Sequence, residues 1–264
     1  MEHITSPQNN RIKNICKLSA KARERKEQGL FIIEGARELS LAVSGRYVFD
    51  SIYLCPGLFE KTDYPEALQS ISPEILYEVS ESVFQKIAYR EGSDGILALT
   101  QQKSHTIQDL NLPDNPFVIV LEAVEKPGNL GAILRTADAA QVDAVIVCDP
   151  LTDIYNPNVI RSSVGCLFTV PVAVSTNEET LVFLKNKQIQ TFAAELTAAQ
   201  WYQDTDFTAP SAIIMGTEAD GLTDFWLNNA AQRIKIPMRG VIDSLNVSVS
   251  TAVITFEAMR QRGF

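Results

Sequence analysis

The chain has 264 residues, of which 45% are hydrophobic, and its formal net charge is −9 at pH 7. This length and composition favour two modest domains with buried cores. The acidic balance argues against indiscriminate nucleic-acid binding, because such binding depends largely on Lys and Arg neutralising phosphates. No apolar stretch approaches the roughly 20 residues that cross a bilayer, and the polar, basic N-terminal segment is unlike a signal peptide. We therefore expect a cytoplasmic protein without a membrane partner.

The cysteines and histidines give no indication of a metal site or a disulfide framework. The four cysteines are widely separated and include no C-x-x-C pair. The two histidines, His3 and His105, lie in polar surroundings far apart in the sequence. We expect reduced cysteines, no bound metal and no histidine-based catalysis.

The first hundred residues alternate between helical and strand-like patterns. Ser6 and Pro7 could begin a helix that extends to about Gln28, where Gly29 ends it, and residues 30–33 read as a buried strand. Further helices are predicted over residues 36–43 and 81–88, and further strands over 51–55, 76–79 and 95–100. Residues 1–100 are thus predicted to form a small α/β domain.

Positive charge is concentrated in one N-terminal segment. Only Glu24 and Glu27 oppose it there. The basic residues of this segment are Arg11, Lys13, Lys17, Lys21, Arg23, Arg25 and Lys26. We expect them to form a local basic surface on a chain that is acidic overall.

Residues 101–115 are polar and proline-containing, which is typical of a linker. Beyond them, strands are predicted over 117–121, 144–148, 168–174, 190–194 and 212–215, and helices over 130–140, 159–164, 178–185 and 247–260. This alternation predicts a mostly parallel sheet with helices on both faces. The last helix is apolar on nearly every side, which indicates burial within its domain or against a second subunit.

The first segment that could carry chemistry spans residues 127–138 and follows a predicted strand. Gly128 and Gly131 permit close backbone approach, and the loop opens a helix whose N-terminal amides favour anionic groups. Arg135 could hold a phosphate or polarise a hydroxyl. The alternative is an ordinary turn, with Asn129 as the helix N-cap and Arg135 on a solvent-facing side.

The second segment, residues 213–222, is a strand that runs into Gly216 and a new helix. Glu218 would stand at the sheet edge where open α/β sheets bind ligands. The alternative is that Glu218 is a first-turn residue that complements the helix dipole.

In the third segment a strand ends near Pro237, and a polar loop leads directly into the apolar last helix. Ser244 and Asn246 lie at the mouth of that helix and need hydrogen-bond partners. A ligand would satisfy both residues, whereas capping of the backbone by both is the alternative.

Together the three segments resemble the motifs of the SpoU/TrmH branch of the SPOUT methyltransferases. These motifs are N-x-G-x-x-x-R, G-x-E-x-x-G-L, and I-P-M followed by S-L-N-V-S, and they appear here in order. The resemblance covers residues 117–264, and residues 1–100 resemble the small, L30e-like substrate-binding domain of the family. It implies a C-terminal α/β domain over residues 116–264 with a trefoil knot, and a homodimer.

The resemblance also implies S-adenosylmethionine as cofactor and methylation of a ribose 2′-hydroxyl in ribosomal or transfer RNA. It implies catalytic roles for Asn129, Arg135, Glu218 and Asn246. It implies cofactor contacts from Gly216, Ile236, Met238, Ser244 and Leu245. Because arginine normally stays protonated, we expect Arg135 to orient the hydroxyl or a nearby phosphate rather than to act as a full base.

Residues 122–126 depart from the acidic-led loop of better-known relatives, which leaves the contacts of this loop open. A nucleotide-binding oxidoreductase is disfavoured because no G-x-G-x-x-G follows a strand. The competing hypothesis is a noncatalytic RNA-binding protein that retains a methyltransferase fold. Neutralising Arg11, Lys13, Arg23 and Arg25 together is expected to weaken RNA binding and flatten its salt dependence while sparing cofactor affinity.

Overall fold

The computed structural model describes residues 2–58, 66–69, 71–89 and 92–263. The N-terminal half alternates between strands and helices. Its strands are β1 (Glu2–Ile4), β2 (Leu30–Glu34), β3 (Phe49–Leu54), β4 (Leu76–Val79) and β5 (Ile96–Gln101). Its helices are α1 (Asn10–Ala20), α2 (Ala22–Gln28), α3 (Ala36–Ser44), α4 (Glu66–Gln69) and α5 (Glu81–Ile87).

The C-terminal half continues the alternation. Its strands are β6 (Phe117–Glu122), β7 (Ala144–Cys148), β8 (Val172–Ser175), β9 (Gln190–Ala194), β10 (Gln200–Trp201), β11 (Ser211–Met215) and β12 (Gln232–Lys235). Its helices are α6 (Pro127–Ala139), α7 (Pro157–Ser163), α8 (Asn177–Asn186), α9 (Asp224–Asn229) and α10 (Val247–Gln261).

The chain divides into two compact units. The first consists of Met1–Lys103 and Asp153–Thr169. Its five-stranded sheet has the order β1-β4-β3-β5-β2, in which β5 runs antiparallel to both of its neighbours. Helices α1 and α5 pack on this sheet through buried apolar side chains such as Ile12, Ile15 and Phe84.

The second unit consists of Ser104–Thr152 and Val170–Phe264. Its seven-stranded sheet has the order β10-β12-β9-β11-β6-β7-β8, and every described pair of neighbours is parallel. The central strands β6, β7 and β11 are buried along their whole length, as expected for a parallel sheet covered on both faces. This confirms the predicted α/β class, whereas the knot and the linker over residues 101–115 stay predictions.

Two elements differ from the sequence prediction. The helix predicted from Ser6 to Gln28 is two helices, because Lys21 adopts an extended conformation with φ −128° between α1 and α2. The first of them is capped by Asn9, which accepts a hydrogen bond from the Arg11 amide. The strand predicted over residues 168–174 begins at Val172, because the residues just before it form a single 3₁₀ turn and an irregular connection.

The segment Asp153–Thr169 is held in the first unit by aromatic and ionic contacts. The Tyr155 ring stacks on Phe31 at a centroid distance of 4.2 Å. The guanidinium of Arg25 is buried, and its Nε donates to the Asp153 carboxylate at 2.6 Å. The expectation that Arg25 belongs to the basic surface is therefore wrong, because this side chain neutralises a carboxylate inside the unit. The residues of that segment that are exposed are Arg11, Lys13, Lys17, Lys21, Arg23 and Lys26.

Across the described ranges, every helix is too short or too polar to span a bilayer. The same residues include no group of three or more His, Cys, Asp or Glu side chains placed to hold a metal ion.

Candidate active site

The carboxyl ends of three neighbouring parallel strands line a cavity in the second unit. The residues that follow β9, β11 and β12 form its walls, together with the loop before α10 and the first turns of that helix. Its volume of about 510 Å³ falls within the range of about 300–1,000 Å³ typical of small-molecule sites. The position agrees with the general rule that open α/β sheets bind ligands beyond the carboxyl ends of their strands.

All five residues predicted to contact the cofactor line this cavity. Gly216 follows β11, Ile236 and Met238 follow β12, and Ser244 and Leu245 lie in the loop before α10. The structure thus brings together residues that the sequence separates into two motifs. Their contacts with a cofactor stay a prediction.

Gly216 is required by the close approach of two backbone segments. A Cβ atom at this position would lie 2.2 Å from both the carbonyl carbon and the carbonyl oxygen of Gly221, and 2.4 Å from the Leu222 nitrogen. The turn between them is closed by a hydrogen bond from the Thr217 amide to the Gly221 carbonyl at 2.9 Å. Any side chain at position 216 would force this wall of the cavity to move.

The cavity lining carries more negative than positive charge. One basic side chain, Lys235, lies among its described residues. The acidic lining residues are Glu195, Glu218, Asp220 and Asp243. This charge distribution favours a ligand that carries positive charge.

Three distant segments meet beside the cavity in a polar cluster, the Glu218 cluster, formed by Lys126, Asn129, Glu218 and Asn246. The Asn129 Nδ2 donates to Glu218 Oε1 at 2.6 Å, and the Asn246 Nδ2 donates to the same oxygen. The Asn246 Nδ2 also lies 3.2 Å from Asn129 Oδ1. Lys126 forms an ion pair with Glu218 Oε2. Three of the four residues predicted to be catalytic are therefore in mutual contact.

Neither Glu218 nor Asn129 has the purely structural role at a helix N-terminus that was the alternative to a functional one. Glu218 lies in the turn that follows β11, and α9 begins only at Asp224, so Glu218 does not complement that helix dipole. Asn129 is the third residue of α6, whose N-cap is Lys126. Neither side chain is placed by helix capping, and both instead contact residues from other segments.

Asn246 does cap a helix, as its alternative proposed, and it joins the cluster as well. Its Oδ1 accepts hydrogen bonds from the Ser248 amide at 2.9 Å and from the Ser248 hydroxyl at 2.6 Å. Its Nδ2 is thereby turned towards Glu218. Among the residues that the structure describes, the Ser244 hydroxyl donates only to the neighbouring Asp243, at 3.3 Å. The cap at the start of α10 thus fixes which end of the Asn246 amide faces the cluster.

Glu218 is held in its ionised form. The hydrogen bond from Lys126, together with that from Asn129, lowers the pKa of Glu218 below its ordinary value. The Lys126 side chain is 66% exposed and that of Glu218 is 24% exposed. An ion pair with this exposure adds at most about 1 kcal/mol to stability, so its main effect is on the position and charge of the carboxylate.

The structure does not bring Arg135 into the Glu218 cluster. Arg135 is exposed, and its guanidinium makes no hydrogen bond or ion pair within the described part of the chain. It follows Asn129 by six residues on α6, which places the two side chains about 120° apart around the helix. Its guanidinium is thus available to a group outside this chain.

A buried carboxylate lies at the end of β6, the strand that precedes α6. Glu122, the last residue of β6, accepts a hydrogen bond from the side-chain amide of Asn177 at 2.8 Å. It also accepts from the backbone amide of Thr223 at 2.8 Å and from the Thr223 hydroxyl at 2.6 Å. Asn177 in turn accepts from the Trp226 indole at 2.6 Å. These contacts tie the start of the loop before α6 to α8 and α9.

Sequence reasoning missed two parts of this site. Lys126 is not among the predicted site residues, although it lies in the loop that departs from the pattern of relatives. Residues 194–197, which are the last residue of β9 and the three after it, also line the cavity. The second group could have been found by applying the strand-end rule to every strand beside β11.

Two family models match this chain, one in each half. The model of the SpoU rRNA Methylase family matches residues 116–256, and the model of the MRM3-like substrate binding domain matches residues 9–98. The 23S rRNA (guanosine-2′-O-)-methyltransferase RlmB of Pectobacterium atrosepticum is 33% identical over 223 residues. That alignment covers 81% of this chain and 91% of the relative.

Two solved structures resemble the whole chain. One is described as an RNA 2′-O ribose methyltransferase; it is 35% identical, with a TM-score of 0.87, over 99% of this chain and 100% of that one. The other is the AdoMet-bound rRNA methyltransferase of Sinorhizobium meliloti, which is 26% identical, with a TM-score of 0.89, over 98% of this chain and 97% of that one. The second and third motifs line one cavity, the first contacts the second through Asn129 and Glu218, and the family model matches residues 116–256. This chain belongs to the SpoU rRNA methylase family.

Proposed function

We propose that the second unit binds S-adenosylmethionine in the cavity and transfers its methyl group to a ribose 2′-hydroxyl of RNA, and that the first unit positions the RNA. The observation that carries this proposal is the placement of the Glu218 cluster directly beside a cavity lined by Gly216, Ile236 and Leu245. A site for a small molecule and a set of polar groups for a second reactant thus share one edge of the sheet.

The residues present fit the cofactor. Gly216 allows the tight turn that forms one wall of the cavity. The acidic lining of the cavity suits a ligand with a positively charged sulfur. When bound, S-adenosylmethionine supplies a methyl group that its sulfonium already activates for nucleophilic displacement. Most of the work left to the protein is therefore positioning.

The Glu218 cluster would position the ribose hydroxyl. Glu218 is ionised and can accept a hydrogen bond from a hydroxyl, while Asn129 and Asn246 hold its Oε1 in a fixed direction. The guanidinium of Arg135, which is free in the described part of the chain, is suited to a phosphate beside the target ribose or to the hydroxyl itself. Arg135 would then act on RNA from outside the cluster.

The RNA class follows from the relatives. RlmB acts on 23S rRNA according to its name, and the N-terminal half of this chain matches an MRM3-like substrate binding domain. The exposed basic residues of α1 and α2 give the first unit a surface that phosphates could contact. We infer that 23S rRNA is the substrate and that this unit selects the nucleotide.

The assembly is proposed to be a homodimer located in the cytoplasm. Helix α10 buries one face within its unit, but it exposes Val249 and Phe256 on the other. An apolar helix that is only half covered is suited to pairing with a second copy of itself. The resemblance to the SpoU/TrmH family implies the same assembly.

Cofactor binding is tested by calorimetric titration with S-adenosylmethionine. The Gly216→Ala variant should lose at least about tenfold in affinity, since its Cβ would collide with the backbone at Gly221. Gly128→Ala is the matched control, because a Cβ there meets no atom within 4 Å. Equal affinity in Gly216→Ala and the native protein would place the cofactor elsewhere.

Catalysis is tested with 23S rRNA transcribed without modification and a cofactor labelled on its methyl group. Alkaline hydrolysis of the product should leave one resistant phosphodiester bond, because a 2′-O-methyl group blocks cleavage at that ribose. Saturable cofactor binding with no transfer to any RNA, despite measurable RNA binding, would favour the noncatalytic RNA-binding alternative.

A further inference from the structure

We infer that Lys126 is a further positioning residue for this reaction: its ammonium group fixes Glu218 against the amides of Asn129 and Asn246. The inference rests on the proposed methyl transfer and adds a residue that the three family motifs leave out. Lys126 immediately precedes Pro127, the first residue of α6, and its side chain reaches Glu218 on the loop after β11.

The hydrogen bonds of the cluster leave one carboxylate oxygen for Lys126. Glu218 Oε1 accepts from both Asn129 and Asn246, and Glu218 Oε2 accepts from the Lys126 ammonium. In the described part of the chain, Lys126 is the one cation that pairs with this carboxylate. Without it, Oε2 would face solvent and the carboxylate could rotate about its last side-chain bond.

Rotation of Glu218 would release both amides. The Asn129 Oδ1 already accepts from Asn246, and the Asn246 Oδ1 is occupied by Ser248. Each amide therefore has a single orientation that satisfies its partners, provided that Glu218 Oε1 stays in place. Lys126 restrains the opposite oxygen, so its contact with Glu218 fixes the acceptor of both amides.

The charges around Glu218 make Lys126 difficult to replace. Apart from Glu218, the charged side chains among the described residues that line the cavity are three acids and one base. The nearest cation along the chain after Lys126 is Arg135 on α6. The acids are Glu195, Asp220 and Asp243, and the base is Lys235, whose ammonium lies 4.8 Å over the Trp201 ring. Removing Lys126 leaves Glu218 in more acidic surroundings, which favours uptake of a proton and loss of the acceptor that both amides need.

The kinetic test compares Lys126→Met and Lys126→Arg with Lys185→Met. Lys185 is an exposed cation on α8, outside the cavity lining, and serves as the matched control. In Lys126→Met we expect kcat at neutral pH to fall by roughly 10-fold to 100-fold, with unchanged affinity for S-adenosylmethionine. The acidic limb of the kcat profile should move to higher pH. Lys126→Arg should restore most of the rate, because it keeps the cation.

A contact between Lys126 and an RNA phosphate would give a different pattern. The KM for RNA and its salt dependence would then change, whereas the pH profile of kcat would not. That result, or native kinetics in Lys126→Met, would overturn the inference. If Lys126 and Glu218 formed only a surface ion pair with no role in positioning, the pH profile of kcat would also be unchanged in Lys126→Met, and the inference would be overturned.

A second measurement needs neither cofactor nor RNA. The Glu218 carboxyl carbon can be followed by ¹³C NMR during a pH titration, with its signal assigned through Glu218→Gln. We expect this carboxyl to titrate at a higher pH in Lys126→Met than in the native protein, and at the native pH in Lys185→Met. Coincident titrations in all three proteins would overturn the inference even if methyl transfer is observed. Absence of methyl transfer by the native protein, with the titration shift present, would instead overturn the proposed function and leave only the ion pair.

Discussion

The two tasks of Asn246 can be separated by substitution. Its Oδ1 caps α10 through the amide and hydroxyl of Ser248, and its Nδ2 donates to Glu218 and Asn129. Asn246→Ser keeps an oxygen that can cap the helix but removes the amide donors. Asn246→Ala removes both. The pair of variants therefore assigns stability to one end of the amide and activity to the other.

The expected magnitudes differ between the two variants. Loss of the cap in Asn246→Ala should lower the free energy of unfolding by about 1 kcal/mol, which corresponds to a fall in Tm of about 2–4 °C for a unit of this size. Asn246→Ser should stay within roughly 0.5 kcal/mol of the native protein, because serine caps helices about as well as asparagine. Both variants should lose roughly 100-fold in kcat, since each leaves Glu218 Oε1 without one of its donors.

The assays are thermal unfolding of the protein alone and methyl transfer to unmodified RNA. Equal losses of stability in Asn246→Ser and Asn246→Ala would show that the cap contributes nothing. A near-native kcat in Asn246→Ser would contradict the assignment of its amide to the Glu218 cluster. The two roles of Asn246 require that Asn246→Ser loses activity but keeps stability, whereas Asn246→Ala loses both.

Three further predictions follow from contacts outside the cavity. Glu122→Ala should lower the free energy of unfolding by about 3 kcal/mol in denaturant titrations, because it leaves buried donors without an acceptor; a loss below about 1 kcal/mol would mean that water replaces the carboxylate. Burial raises the pKa of Cys148 to about 12, so at pH 8 a thiol reagent should label the partly exposed Cys16 well before Cys148, and equal labelling rates would refute this. Neutralising three exposed lysines should flatten the salt dependence of RNA binding without changing the affinity for S-adenosylmethionine. The slope of log K against log salt concentration should fall by on the order of one unit per lost phosphate contact. An unchanged slope would remove α1 from the RNA interface. Those lysines are Lys13, Lys17 and Lys21.

Several strands were predictable from the sequence because a short run of strand-forming residues lies between residues that favour turns. The predicted bounds agree with β4, β7 and β9 residue by residue, and β7 in particular is a short apolar run that is buried throughout. The clustering of the three motifs was predictable for a related reason. Parallel strands end at one edge of the sheet, so polar residues that follow β11 and β12 must lie near one another.

Features that depend on partners far along the chain were not predictable. Nothing in the local pattern around Lys126 identifies Glu218 as its partner, since 92 residues separate them. The break at Lys21 interrupts a sequence whose helical propensity continues on both sides. Arg25 reads as a surface residue in a basic segment until the structure places Asp153 against it. For Lys126 and Arg25, the deciding contact is with a residue far along the chain.

The discontinuity of the first unit constrains how its role can be transferred between proteins. A chimera that takes only residues 1–103 from this chain would expose the Phe31 ring, which Tyr155 covers, and would leave the buried Arg25 guanidinium without Asp153. Such a chimera would carry the exposed residues of the unit but would lack part of its buried interior. Any exchange that moves this unit intact therefore has to carry two separate stretches of gene together, and the second of them lies inside residues 116–256, which the methylase family model matches.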